Sequence, residues 1–364
     1  MYEKELEALK RAGRFRERKL YDDTLKDLAS NDYLGLAGKK KHLKKALKLL
    51  EDYETISPKA SMLVNGYHPI HRIFEMELAE ANHFEEGLVA GSGFLANMAL
   101  IEALVRKGDR LFMDEEYHAS GVMASQLLGD RVVIFKHNDA DDLREKLEQN
   151  PAKRQIIAVE GVYSMGGDLC KKEIFDLAEE KKALLIVDEA HSAGVLGWKL
   201  QGIFEHYGIP VTERHIKMGT LGKAYGSYGA YILASREIIS FLENRAKPVI
   251  YSTAPSVIDT ALALVNFRYI RKKAEKIKAE ILQRQRMARE EYGINLQSLI
   301  LPIEMPDNER ALFMQKGLIS QGYLVGAIRQ PTVEKPILRV ILSLAVPVKE
   351  LRHALALIRH NTVE

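Results

Sequence analysis

Cysteine is nearly missing from this chain. Cys170 is the only one in 364 residues, which excludes an internal disulfide framework and fits a reducing compartment. Charge of one sign is missing too: 53 Lys and Arg stand against 50 Asp and Glu, a formal net charge of +3. So small a balance gives no reason to expect nucleic acid or a membrane surface as a partner. No apolar run approaches the roughly 20 residues that a membrane-spanning helix requires. The opening MYEKELEALKRAGRFRERK carries acidic residues and no apolar core, unlike a secretory signal, so the expected location is cytoplasmic. No internal repeat or low-complexity tract stands out.

What is present is an ordinary soluble composition, 46% hydrophobic and 28% charged, in a chain long enough for a large domain with a smaller companion. From about residue 68, strands and helices alternate. Strands are expected at 87–90, 110–114, 131–135, 155–160, 183–188, 215–219 and 229–234, with helices at 68–82, 94–106, 140–149 and 172–181 between them. Continuous apolar strands separated by helices predict an α/β fold with a mostly parallel sheet covered on both faces. The expected division is an N-terminal arm (1–37), a large domain (38–254), and a linking helix with a C-terminal α+β domain (255–364). That last part holds a long helical stretch over 255–292, strands near 298–303 and 338–344, and a helix at 348–359. In the helix expected at 39–50, Leu43, Ala46, Leu47 and Leu50 have the spacing of a buried face. The lysines between them, and His42 among them, read as solvated. His68 and His71 open a helix and read as structural.

One pair of motifs carries chemistry. VDEAH (187–191) ends an apolar strand on Asp188, with His191 three residues later, and Lys223 follows 35 residues on in GTLGKAYGSYG. Gly222, Gly226 and Gly229 remove bulk around the lysine and permit tight turns. A carboxylate at a buried strand end with a lysine in a Gly-rich loop is what pyridoxal phosphate chemistry needs: the lysine forms a Schiff base, and the carboxylate keeps the pyridine nitrogen protonated. Ligands in such sheets bind beyond the carboxyl ends of the strands, where Glu160, Asp188, His118 and Thr220 all fall. A rival is a nicotinamide oxidoreductase, because Gly91-Ser92-Gly93-Phe94-Leu95-Ala96 fits G-x-G-x-x-A, with Asp114 ending the next strand. The same turn serves a single phosphate at a helix N-terminus equally well, and the rival leaves Lys223 and Asp188 without a purpose.

ASNDYLGLA (29–37), AGSGFLAN (90–97), DEEYHAS (114–120), EGVYSM (160–165), VDEAHSAGVLG (187–197), GTLGKAYG (219–226) and IYSTAPS (250–256) occur in one order. Together they resemble the α-oxoamine synthases, pyridoxal phosphate enzymes of the aspartate aminotransferase fold (fold type I), over about residues 10–360. The resemblance implies that Lys223 carries the Schiff base and handles the α-proton, and that Asp188 pairs with the pyridine nitrogen. His118 would stack on the ring, with His191 and Ser164 near its phenolic oxygen. Gly93 and Phe94 would offer backbone to the phosphate, with Thr220 nearby. Thr253 would reach the partner subunit's cofactor phosphate, which makes the enzyme a homodimer with shared sites. Arg339 would clamp the amino acid carboxylate, and Arg16, Arg329 and Thr332 would lie near the acyl substrate. No metal is implied.

Within the family, AIRQPTV (327–333), LRVILSL (338–344), IYST and FKHND (135–139) lean toward the member that condenses L-alanine with a pimeloyl thioester, carried by coenzyme A or acyl carrier protein, in biotin biosynthesis. A sister synthase using glycine and acetyl-CoA is the alternative, and a non-catalytic subunit of the same fold is argued against by Lys223. Two positions depart from the family pattern: Met62 stands where many relatives have Arg, and Gly166 where they have Asp.

Overall fold

The computed structural model describes residues 1–363. Eleven strands form among them: β1 Lys26–Leu28, β2 Glu86–Ala90, β3 Arg110–Asp114, β4 Val132–Phe135, β5 Gln155–Glu160, β6 Leu184–Asp188, β7 His215–Thr220, β8 Ala230–Ala234, β9 Ile300–Glu304, β10 Tyr323–Ile328 and β11 Ile337–Ile341. The chain divides into two compact units. One comprises Leu36–Ser164 and Asp168–Glu280; the other comprises Met1–Gly35, Met165–Gly167 and the chain from Ile281 on. The boundary between the units in the C-terminal part falls after residue 280, and residues 1–35 cluster with the C-terminal part. The helix Val257–Lys272 stays with the large unit because Val257 and Ala261 close an apolar cluster with Ala46, Leu50 and Ile70. The arm joins the small unit because β1 pairs in parallel with β10.

The large unit is built on a seven-stranded sheet in the order β2-β8-β7-β6-β5-β3-β4. From β7 to β4 all pairings are parallel, and β8 runs antiparallel to both its neighbours. Its strands are nearly unbroken in hydrophobicity because both faces are covered. Leu111, Met113, Ile156, Ala158, Ile186, Ile216 and Ile232 pack on one face with Ala96, Leu100 and Leu104 of the helix Gly93–Leu104. The alternate residues Phe112, Ile157, Val159, Leu185 and Val187 are equally buried on the other. Each such side chain contributes about 1.5–3 kcal/mol when fully buried. The sheet is thus a rigid platform, and Asp114, Glu160, Asp188 and Thr220 end β3, β5, β6 and β7 along one edge.

In the small unit, β1-β10-β11-β9 form a mixed sheet. The helical stretch expected over 255–292 consists of two helices, Val257–Lys272 and Ala274–Tyr292, separated at Lys273. Among the described residues no helix is long and apolar enough to cross a membrane.

His42 corrects the expected solvated histidine. It is buried, and its Nδ1 lies 2.6 Å from Asn266 Oδ1, with Tyr269 4.8 Å away ring to ring. The helix Lys40–Lys48 therefore buries His42 and Ala46 and leaves Leu43 and Leu47 exposed, a face rotated from the one its leucines suggest. His68 and His71 cap the helix Pro69–Asn82 reciprocally, each ring Nδ1 accepting a backbone N–H.

Candidate active site

The loop from Leu221 to Gly229 joins β7 to the antiparallel β8 at the carboxyl edge of the parallel strands, and it carries Lys223. Leu221 N–H donates to Gly229 O at 2.9 Å, Gly226 N–H to Lys223 O at 2.9 Å, and Ser227 N–H to Leu221 O at 2.8 Å. Gly226 is obligatory: its φ is +55°, and a Cβ there would sit 2.7 Å from the Leu36 carbonyl carbon. Gly222 has no such constraint, since an added Cβ would meet nothing closer than 3.7 Å. The loop is held further by Asn266, whose amide donates to Tyr225 O at 2.6 Å and which His42 fixes in turn.

Lys223 Nζ lies 2.6 Å from His191 Nε2. His191 belongs to the turn that leaves β6, and Glu189 shapes that turn. The Glu189 carboxylate is wholly buried; it accepts from Ser192 Oγ at 2.5 Å and Ile203 N–H at 2.7 Å, and lies 3.3 Å from the buried Lys217 amine. Asp188, 4% exposed, accepts from Asn97 Nδ2 and from Ala190 N–H, each at 2.9 Å.

Asn97 escaped the sequence reading and is the hub of the site. Its amide nitrogen also donates to Ser120 Oγ at 2.9 Å, and its oxygen accepts from Tyr117 OH at 2.8 Å. It thereby ties Asp188 to the loop that carries His118. The only signal was its position in the GSGFLAN run, one helical turn after Gly93 and so on the same helix face. His118 Nδ1 accepts Ser120 N–H at 3.2 Å and lies 2.7 Å from Ser120 Oγ. With Nδ1 an acceptor, the neutral ring carries its proton on Nε2. Burial and the Lys223 charge lower the His118 pKa against the opposing pull of Asp188, which keeps the ring neutral.

Glu160 ends β5. It is buried, one oxygen accepts Ser164 N–H at 3.1 Å, and the other has no hydrogen-bond partner among the described residues. Burial and the neighbouring Asp188 push its pKa well up. Ser164 is itself buried beside it. At the far end of the sheet edge, Ser92 caps the helix Gly93–Leu104 by accepting Leu95 N–H at 3.2 Å. The first N–H groups of that helix lack intrahelical partners. A Cβ on Gly93 would lie 3.7 Å from Thr220 Cβ and 3.9 Å from Thr220 Oγ1, so a side chain there would fill the space between helix end and hydroxyl. Phe94 exposes its ring while its backbone stays in this first turn. Thr253 is exposed and borders a cleft with Met62, Gly91 and Leu95.

The donor set fits pyridoxal phosphate at its three ends: an amine for the aldehyde, a buried carboxylate for the ring nitrogen, and an open helix N-terminus with a hydroxyl for the phosphate. The structure brings Lys223, His191, Asp188, His118, Ser164, Gly93, Phe94 and Thr220 onto one edge of the large unit.

Thr253 also lies in the large unit, whereas Arg16, Arg329, Thr332 and Arg339 lie in the small one. Arg339, buried in β11, donates from Nη1 to Asn31 Oδ1 at 2.9 Å. Ser343 Oγ and Leu344 N–H hold the backbone of Asp32 and Tyr33, at 2.6 and 2.8 Å, so ASNDY is the segment that seats this arginine's strand. Arg16 Nη2 donates to Thr332 Oγ1 at 3.0 Å, and Arg329 Nη1 to Gly13 O at 2.6 Å, which gathers Arg16, Arg329 and Thr332 at one place.

The family model for class I and II aminotransferases matches residues 23–358. An 8-amino-7-oxononanoate synthase of Helicobacter pylori strain J99 is 46% identical over 98% of this chain and 96% of its own. A putative 8-amino-7-oxononanoate synthase of Aquifex aeolicus is 36% identical over 92% of this chain and 90% of its own. Among solved structures, an 8-amino-7-oxononanoate synthase of Francisella tularensis superposes with a TM-score of 0.78 at 25% identity, covering 94% of this chain and 98% of its own. A serine palmitoyltransferase of S. paucimobilis, solved with bound pyridoxal phosphate and myriocin, shares the fold with a TM-score of 0.86 at 22% identity, over 97% of this chain and 94% of its own.

Proposed function

The chain belongs to the class I and II aminotransferase family, among the relatives named 8-amino-7-oxononanoate synthase, and on that premise we propose that it condenses L-alanine with a pimeloyl thioester. The products are 8-amino-7-oxononanoate, carbon dioxide and the free thiol, as biotin biosynthesis requires. The sister reaction with glycine and acetyl-CoA is not favoured, since the relatives at 46% and 36% identity are named 8-amino-7-oxononanoate synthase and putative 8-amino-7-oxononanoate synthase.

Pyridoxal phosphate, when bound, supplies the aldehyde that takes up the amino acid and the ring that withdraws electrons from its α-carbon. The chain's residues do the rest. Lys223 Nζ would hold the aldehyde, and the same atom would take the α-proton of alanine. Asp188 would hold a proton on the ring nitrogen, its carboxylate fixed in place by the hydrogen bond from Asn97. Neutral His118 would cover the ring face without competing for that charge. His191 and Ser164 orient the phenolic oxygen, and the N–H groups of Gly93 and Phe94 with Thr220 hold the phosphate. Arg339 would fix the alanine carboxylate with its guanidinium, and Arg16, Arg329 and Thr332 would bind the acyl substrate. Thr253 serves the phosphate of a second copy's site, so the working form is a homodimer.

The observation that carries this reading is the 2.6 Å approach of Lys223 Nζ to His191 at the edge where Asp188 ends its strand. Addition of pyridoxal phosphate gives an absorbance band of a protein-bound Schiff base, and Lys223→Ala abolishes it. L-alanine perturbs the band and, with pimeloyl-CoA, releases free coenzyme A. Turnover of glycine with acetyl-CoA and none with alanine contradicts the reading.

A further inference from the structure

His137 in the FKHND run has no part in the reaction as derived, yet it sits among four carboxylates of the large unit. Its Nδ1 lies 3.0 Å from Asp114 Oδ1 and its Nε2 3.0 Å from Asp168 Oδ2. Glu116 is 3.8 Å from Nε2, Glu115 accepts His137 N–H at 2.9 Å, and the Tyr163 ring stands edge-on 4.3 Å away. Both ring nitrogens face carboxylate oxygens, which cannot donate when ionised, so both must carry hydrogen and the ring is an imidazolium. Asn138 repeats the link, donating from its backbone N–H to Asp114 at 3.0 Å and from its amide to Asp168 at 2.8 Å. Burial alone would depress this histidine, but the hydrogen bonds and charges of Asp114 and Asp168 outweigh it and push its pKa up to about 10.

The two carboxylates belong to different loops. Asp114 ends β3, four residues before His118; Asp168 lies four residues after Ser164, and Asp168 O accepts Tyr163 N–H at 2.9 Å. Tyr163 OH donates back to Asp114 at 2.8 Å. Asp168 is the one carboxylate in 164–168, and it meets the imidazolium.

We propose that His137 is a positioning residue: clamped between Asp114 and Asp168, it sets the loop of His118 and the loop of Ser164 at a fixed separation around the cofactor. The proposal rests on the functional reading above for the cofactor, while the clamp itself exists without it. Removing the imidazolium leaves a buried carboxylate and three neighbouring acids facing one another, and the loops move apart.

The test uses the full chain with His137→Ala, His137→Gln and Asp168→Asn. In cofactor-free protein, amide hydrogen exchange over 114–120 and 161–169 rises together in His137→Ala, while β5 and β6 stay as protected as in wild type. Titration with pyridoxal phosphate shows a dissociation constant raised roughly tenfold, and kcat falls roughly ten- to hundredfold with little change in the KM for alanine. Asp168→Asn acts in the same direction and adds little to His137→Ala, because each removes the same clamp. His137→Gln, which can still donate to one carboxylate, lies between wild type and alanine. Exchange that rises only around residue 137, unchanged cofactor affinity, or full additivity of the two substitutions overturns the proposal. If His137→Ala does not fold, Asp168→Asn alone decides: loosening of both loops supports the clamp, and loosening of neither refutes it. Absence of any Schiff-base band in wild type defeats the functional reading instead, and the exchange experiment still judges the clamp.

Discussion

Lys223, Asp188 and His191 were readable in the sequence because each stands in a short run whose neighbours are themselves diagnostic: an apolar strand before Asp188, glycines around Lys223. Asn97 was not. An asparagine inside an apolar helix has no periodic signature, and its meaning appears only when folding brings Asp188, 91 positions away, into contact with it. Two predictions belong at this scale. Asn97→Ala strands Asp188, Ser120 and Tyr117, so denaturant unfolding records a loss of about 1–3 kcal/mol and steady-state assays a fall in kcat. Unchanged stability and rate contradict the hub role. Glu75 offers a pH test. It is buried beneath Tyr67 OH and Val89 N–H, and burial pushes its pKa up to about 8. The folded state then binds a proton that the unfolded state has released above about 4.5, so stability falls as pH rises from there through 8. Urea unfolding at pH 5.5 and 8.5 detects this decline, and Glu75→Gln flattens it.

At the scale of elements, strand–helix alternation set the large sheet to within a residue or two at each strand, because strands buried on both faces have little freedom in composition. Short and mixed elements hid. β1 is three residues long and mostly exposed, and β10 contains Gly326. The helix Lys40–Lys48 misled in another way: its leucines suggested one face, yet Asn266 supplied a partner that draws His42 inward and rotates the helix. A sequence reading cannot see a hydrogen-bond partner 224 positions away. His42→Ala therefore destabilises by about 1–3 kcal/mol, since it orphans Asn266 beneath the Lys223 loop, whereas Lys44→Ala on the exposed face changes stability by less than about 0.5 kcal/mol. Equal effects in thermal or denaturant unfolding argue against the inward histidine.

For the whole molecule, the ordered motifs carried more than any one of them. They pointed to the fold and to a reaction class that Lys223 and Asp188 alone could not distinguish from other pyridoxal phosphate chemistry. They also imply a shared site, which subunit mixing tests. A hybrid of Lys223→Ala with Thr253→Asp holds one site in which both Lys223 and Thr253 are intact, so activity absent from either variant returns on mixing. No recovery in hybrids confirmed by native mass spectrometry rules out the trans role of Thr253. The most direct test of the central claim is a single assay: release of free thiol from pimeloyl-CoA by the pyridoxal phosphate-loaded protein with L-alanine, beside Lys223→Ala. The account predicts alanine-dependent release, with 8-amino-7-oxononanoate formed in equal amount, and a loss of at least roughly a thousandfold in the variant. Release that proceeds without alanine, or survives in Lys223→Ala, would contradict it.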